Sequence, residues 1–334
     1  MRVLRLVSLL VAIVWTGGAA AADRFAPAIV YSFAGKDDGA FNSAAALGVK
    51  RFVEHSGVEV REYERGLTVD DLSQGLVAAL ERGADPLIAV GFAYAPAIEK
   101  LAAAHPDRHF VLIDGDVDRP NVVSVLFREE QGAFLVGLLA AKASKTGTIG
   151  FLGGMDMPLI RRFECGFRLG ARHAAPNVAV LADYHGADGK GFSDPAWGRS
   201  AALAQFDKGA DVVFAAAGGS GLGSIEAAHE RGKLAIGVDT NQNGVRPGTV
   251  LTSMLKRVDV AVYRELTQLR RGDWKAGREI LGLAEEAVGW ALDQHNAALI
   301  TPEWRAAAAR AQSDLIAGTI SLTGPEADAV CRAN

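Results

Sequence analysis

The chain has 334 residues, 49% hydrophobic and 22% charged, with a formal net charge of −4. That balance excludes wholesale disorder, and the length suffices for one large or two modest domains whose core needs no disulfide scaffold. Basic residues cluster only in short pairs such as Arg161-Arg162 and Arg270-Arg271, so no nucleic-acid partner is expected.

Residues 1–22 read as a cleavable signal peptide. Arg2 and Arg5 precede an apolar stretch over 7–15, and Ala20-Ala21-Ala22 gives a small-residue cleavage site. The apolar stretch is shorter than the ~20 residues that span a bilayer. Export would place Cys165 and Cys331 in an oxidising compartment, where they either pair or stay apart; spacing alone does not choose.

Apolar runs rich in Val, Ile and Phe then recur at 28–33, 86–90, 110–113, 122–126, 148–152, 178–181, 212–216, 234–238 and 250–252. Helical patterns over 42–55, 70–82, 131–144 and 199–208 lie between them. This alternation predicts an α/β fold with parallel sheets covered on both faces. Nine or more strands are too many for one comfortable sheet, so two doubly wound lobes are expected. Lobe 1 is placed at 26–145 plus about 255–280 and the C-terminal helix, and lobe 2 at 146–254 plus about 281–295, with a ligand cleft between them. Thr301-Pro302 reads as the N-cap and first turn of the last long helix.

Polar groups gather at strand C-termini, where open α/β sheets bind ligands. Asp37, Asp38, Phe92, Asp114, Gly218, Gly219 and Asp239 all fall at or just past a strand end. Each Asp is either a ligand group or a helix N-cap. The segment 215–223, AAAGGSGLG, imitates a dinucleotide loop, but its glycines do not follow G-x-G-x-x-G. They either let backbone N–H groups approach a ligand or simply form a tight turn. No G-x-S-x-G and no H-E-x-x-H occurs, so neither catalytic residues nor a metal site are expected.

Several ordered stretches carry a resemblance. They are Asp37-Asp38-Gly39-Ala40-Phe41-Asn42; Pro120-Asn121-Val122 leading to Glu130-Gln131-Gly132-Ala133-Phe134-Leu135; and Gly150-Phe151-Leu152-Gly153-Gly154-Met155 with Phe163-Glu164 and Gly166-Phe167. Phe192-Ser193-Asp194-Pro195, Ala217-Gly218-Gly219, Ile236-Gly237-Val238-Asp239 and Leu251-Thr252-Ser253-Met254 with Lys256 follow. Together, over about 28–320, the chain resembles the basic membrane protein family of ABC-transporter substrate-binding proteins, and within it the purine nucleoside receptor branch. The resemblance implies two Rossmann-like, doubly wound lobes joined by a multi-strand hinge, the type I periplasmic binding protein fold. It implies a non-catalytic receptor, without cofactor, that delivers a nucleoside to a membrane ABC permease and acts as a monomer.

By position, Phe41 would stack on the base, and Asn42 and Asp114 would hydrogen-bond its edge. Asp37 would support the base, Asp239 would accept two ribose hydroxyls and Lys256 would add a donor. Gly218 and Gly219 would offer backbone contact, with Phe92 and Phe192 as aromatic walls or as ordinary packing. The family commonly has Asp-Lys-Ser-Phe-Asn where this chain has Asp38-Gly39-Ala40-Phe41-Asn42. The family is often lipid-anchored, whereas no cysteine stands at the cleavage point here, so a free, unanchored periplasmic receptor is expected. The alternatives are a receptor for a free nucleobase, a flavin or a sugar, and a secreted dinucleotide-dependent oxidoreductase built on the Gly218 loop.

Overall fold

The computed structural model describes residues 25–64 and 69–332. The signal segment lies outside the described residues. The strands form two six-stranded sheets, in the orders β11-β5-β4-β3-β1-β2 and β12-β10-β9-β8-β6-β7. The first is built from β1 (Ala28–Tyr31), β2 (Arg61–Glu64), β3 (Leu87–Val90), β4 (Phe110–Ile113), β5 (Val122–Phe127) and β11 (Gly277–Leu281). The second is built from β6 (Thr148–Gly153), β7 (Ala179–Tyr184), β8 (Val212–Ala216), β9 (Leu234–Asp239), β10 (Val250–Lys256) and β12 (Val288–Trp290). The two orders match strand for strand, and among the described strands only β12 runs antiparallel to its neighbour.

The continuous apolar strands are explained by burial on both faces. In β1, Ile29 and Tyr31 enter one core while Ala28 and Val30 enter another, and β3 and β4 alternate in the same way. Helices α1 (Phe41–Ser56) and α8 (Val258–Arg271) pack together on one face of the first sheet, with α2 (Val69–Glu81) and α3 (Ala95–Ala104) on the other. The second sheet is covered by α4 (Glu129–Ala143) and α5 (Pro158–Ala174) on one face, and by α6 (Pro195–Asp207) and α7 (Ser220–Arg231) on the other.

The chain passes between lobes three times: at Arg128, at Arg257 and over 282–287. These passages are tied together by backbone bonds, Arg128 N to Leu281 O at 2.8 Å and Arg257 N to Ala287 O at 2.8 Å.

Helix α4 corrects the expected boundary. It packs on α5, not on the first sheet, so the first crossing comes right after β5 and not near residue 145. The C-terminal helices are corrected too. Helix α9 (Pro302–Ile316) packs on α4, and α10 (Pro325–Arg332) packs on α5, so both belong to the second lobe. A disulfide joins Cys165 of α5 to Cys331 of α10 across 166 residues. Thr301 caps α9 by accepting from Trp304 N at 3.2 Å.

Glycine sets how closely the crossing helices approach. A Cβ on Gly137 of α4 would collide with the Phe167 carbonyl of α5, and one on Gly170 of α5 with the Phe134 carbonyl of α4. The two backbones touch reciprocally, leaving no room even for a methyl group. Gly137→Ala or Gly170→Ala should lower the unfolding free energy by ~1–3 kcal/mol in urea denaturation. Gly289→Ala, whose added methyl meets open space, should cost less than about 0.5 kcal/mol.

Candidate functional site

The C-terminal ends of both sheets face each other across a cleft. From the first lobe come Ser32 and Phe33 after β1, Asp38, Phe41 and Asn42 at the start of α1, Gly91 and Phe92 after β3, and Asp114 after β4. From the second come Leu159, Ile160 and Phe163 of α5, Phe192, Gly218 after β8, Asp239 at the end of β9 and Lys256 at the end of β10. Asp114 and Asp239 occupy matching ends of β4 and β9, and both adopt the left-handed conformation with φ 64°. That region is uncommon for any residue but glycine and is more often tolerated by Asp and Asn.

Lys256 is the centre of the charge arrangement. It is 1% exposed, and its Nζ donates to Asp114 Oδ2 at 2.5 Å, joining the two lobes. The rings of Phe41, Phe127 and Phe163 surround the ammonium at 5.4, 5.0 and 5.4 Å from their centroids. Burial works against its charge, but the carboxylates of Asp114, Glu129 and Asp239 outweigh burial and hold Lys256 above its ordinary range.

The acids around it are unevenly served. Asp38 accepts from the backbone N–H groups of Ala40 (2.8 Å), Asn42 (3.0 Å) and Ser43 (3.0 Å), capping α1. Burial still raises its carboxyl. Glu129, 0% exposed, accepts from Arg162 Nη2 at 2.5 Å and Nε at 2.8 Å, while its Oε2 has no partner among the described residues. Burial, opposed by Lys256, pushes Glu129 up to about 7. Asp239 is 7% exposed and its carboxylate accepts no hydrogen bond among the described residues. Burial pushes it up to about 7; Lys256 opposes this, and Asp38, Asp114 and Glu129 add to it.

Of the residues expected from the sequence, Phe41, Asn42, Phe92, Asp114, Phe192, Gly218, Asp239 and Lys256 line the cleft. Asp37 does not: it is exposed, and the neighbouring Asp38 turns inward because its carboxylate caps α1. Gly219 does not line the cavity either. A Cβ there would stand 3.3 Å from Asp38 O, so this glycine lets the lobes approach across the cleft. Gly218 makes a left-handed turn (φ 51°), and Gly223 lets α7 touch α6. The glycine run therefore has structural uses that remove its support for a dinucleotide loop. Asn42 lines the cleft with its amide turned to Ser32, Nδ2 donating to Ser32 O at 2.8 Å.

Residues that sequence reading passed over include Ser32, Phe33, Leu159 and Ile160. The strand-end rule that found Phe92 applies equally to Ser32 and Phe33. Leu159 and Ile160 look like ordinary core positions of an amphipathic helix.

A family model described as ABC transporter substrate-binding protein PnrA-like matches residues 28–310. The chain belongs to this family. Basic membrane protein D of Borreliella burgdorferi is 35% identical over 276 residues, covering 77% of this chain and 78% of the relative. An uncharacterised lipoprotein of Pyrococcus horikoshii is 35% identical over 283 residues, covering 80% and 69%. A solute-binding protein of an ABC transporter system from Aeropyrum pernix K1 superposes with a TM-score of 0.83 at 27% identity, covering 91% of this chain and 96% of that one. The fold is that of type I periplasmic solute-binding proteins, and such proteins serve a membrane permease with a small-molecule ligand.

The expectation of a free, unanchored periplasmic receptor is corrected by these relatives, since family members of this similarity are named lipoproteins. That expectation rested on residues 1–22, which lie outside the described residues. No helix of the described residues is long and apolar enough to cross a membrane.

The raised carboxyls give a pH dependence. An unfolded Asp or Glu loses its proton near 4, whereas Asp239 and Glu129 hold theirs to about 7 in the fold. Their contribution to stability is fully present below pH 4 and is lost as pH rises through 7. Asp239→Asn, which cannot ionise, should remove part of this loss. Urea unfolding of ligand-free protein at pH 4, 5.5 and 7 should show the variant gaining on the wild type across the series; parallel profiles would contradict the assignment.

Proposed function

We propose that the cleft binds a purine nucleoside, or a related ribose-bearing ligand, and that this receptor presents it to a membrane ABC permease as a monomer. One observation carries the reading: Asp239 is a buried carboxylate with both oxygens unengaged, beside a lysine already bonded to Asp114. A buried acceptor without donors is costly. A vicinal diol supplies two neutral O–H donors in bidentate reach of one carboxylate, and a pentose carries such a diol. Phe41 and Phe192 supply flat apolar faces for the attached ring, and base–aromatic stacking contributes ~1–3 kcal/mol per base.

The competing ligands fit less of the wall. A free nucleobase would leave Asp239 without its hydroxyl donors. A lone sugar would leave much of the aromatic lining uncovered. In the nucleoside reading, Asp239 accepts two ribose hydroxyls, and Lys256, held by Asp114, offers its remaining N–H groups to the same end. Gly218 brings backbone close to the ligand. Nothing in this assignment is a chemical step, because the family's task is capture and delivery.

Calorimetry with adenosine, guanosine and inosine should give micromolar or tighter binding for at least one of them. Asp239→Ala should weaken it by about 100-fold or more, from the loss of two hydrogen bonds to a charged group. Mass spectrometry of the molecule that co-purifies should find a riboside. A different ligand there, together with no binding of any nucleoside, would overturn the reading.

A further inference from the structure

The end of the first lobe farthest from the cleft carries open arginines. Helix α1 starts at the cleft with Phe41 and ends at Ser56, while α8 starts just after Lys256 and ends at Arg271. The two pack together, and their last turns meet roughly 20 Å from the cleft, at 1.5 Å per helical residue. A groove between those turns is floored by Phe52 and Tyr263 and edged by His55, Arg270 and Arg271. Arg51 lies over the Tyr263 ring, 4.4 Å from its centroid, and His55 meets the same ring edge-on at 5.7 Å.

Elsewhere surface arginines are matched. Arg161, Arg199, Arg231 and Arg246 each hold a carboxylate within 2.9 Å. Arg51, Arg270 and Arg271 are exposed and hold none among the described residues. Glu54, the one acid of α1, stands 3.9 Å from Lys50. Over 50–59 and 269–275, five Lys and Arg face three acids, in a chain whose net charge is −4. Helix C-termini carry about half a negative charge each, so two of them account for one arginine and not for three.

The chain enters the fold at this same pole. Phe25, the first described residue, packs on Phe52 with ring centroids 6.1 Å apart. The residues ahead of it include Arg2, Arg5 and the apolar stretch over 7–15, with no acid before Asp23. Any attachment of this chain to a membrane through its N-terminus therefore holds it by this pole.

We infer that this pole of the first lobe seats on an anionic phospholipid surface, with Arg51, Arg270 and Arg271 on headgroup phosphates and Tyr263 at headgroup level. Guanidinium forks match phosphate oxygens bidentately and keep their charge, and a tyrosine ring suits a boundary that is apolar on one side and wet on the other. The partner is lipid and not an acidic segment of the permease, because the permease receives ligand from the cleft, at the opposite end of α1 and α8. Seating by the pole leaves that cleft unobstructed.

The test is vesicle flotation of the full chain at low salt. One set of vesicles is phosphatidylcholine alone, and the other adds about 30% phosphatidylglycerol. The segment over 1–22 is common to every variant, so differences between variants read the pole. Arg270→Glu combined with Arg271→Glu should weaken partitioning onto the anionic vesicles by about 10-fold or more, and Gln at both positions should fall between. The control is Lys208→Glu combined with Arg310→Glu, two exposed positions of the second lobe that change net charge equally; it should lose less than about twofold. Circular dichroism checks that each variant is folded. Equal uptake of the wild type by both vesicles, which a pole built for an acidic protein segment would give, would overturn the inference. So would an anionic preference that the Arg270 and Arg271 substitutions leave intact, or an equal loss in the control. Inorganic phosphate should compete no better than chloride at equal ionic strength; selective competition would make the groove a site for the free anion and overturn the lipid assignment.

Discussion

The buried ion pair between Lys256 and Asp114 is the constraint around which the cleft is organised. An ammonium 1% exposed is tolerated only with a charged partner and polarisable surroundings, and it has both: a carboxylate at 2.5 Å and three phenyl rings. The pair also spans the lobes, because Lys256 ends β10 of the second and Asp114 follows β4 of the first. Removing either partner would strand the other in a low-dielectric pocket that already holds Asp239 and Glu129. The lysine is committed to Asp114, so it steadies Asp239 only through space. The unengaged carboxylate is a consequence of that commitment.

Smaller contacts also cross between the lobes. At the mouth, the Gly39 carbonyl accepts from Thr240 Oγ1 at 2.8 Å and Gln242 Nε2 at 2.9 Å, reaching from the first lobe to the second. Phe33 stacks on Phe192 at 6.2 Å and abuts Gly189, where no side chain would fit. A typical hydrogen bond contributes only ~1 kcal/mol net, so these contacts add modestly to the Lys256–Asp114 pair across the cleft. A ligand can shift the balance between two arrangements of the lobes only by its difference in affinity for them. One continuous core, holding Ile29 and Tyr31 of the first lobe together with Phe151 and Phe214 of the second, runs through both lobes.

The central strands were legible because both their faces are buried, which writes itself into sequence as unbroken Val, Ile and Phe. Two edge strands, β2 and β11, were not. β2 reads Arg-Glu-Tyr-Glu with only Tyr63 buried, and β11 reads Gly-Arg-Glu-Ile-Leu with only Leu281 buried. Charge on an edge strand protects it from unwanted pairing and also hides it from a search for apolar runs. The lobe to which α4 belongs was likewise hidden, since its apolar face specifies burial without naming the partner. Strand-end residues such as Asp114, Asp239 and Gly218 were legible because doubly wound sheets place ligands there. Asp37 and Asp38 could not be separated by that rule. The distinction depends on which carboxylate meets the first N–H groups of α1, a matter of one residue of register.

The matching order of the two sheets sharpens the argument about charge. β4 pairs with β5 as β9 pairs with β10, and the two aspartates sit at equivalent ends with the same φ of 64°. The hinge positions match as well: Arg128 N bonds Leu281 O where Arg257 N bonds Ala287 O. Backbone symmetry thus delivers two inward carboxylates. Side-chain symmetry fails one step earlier, because β10 ends in Lys256 while β5 ends in Phe127, whose ring lies 5.0 Å from that same ammonium. Two equivalent acids therefore share one cation at the strand ends. The cation sides with Asp114 across the cleft, and Asp239, next to it in the sheet through the β9–β10 pairing of Leu255 with Asp239, is left for whatever enters. A second cation at position 127 would neutralise both acids; a phenyl ring at that point preserves the imbalance, which is the feature the proposed recognition of a ribose draws on.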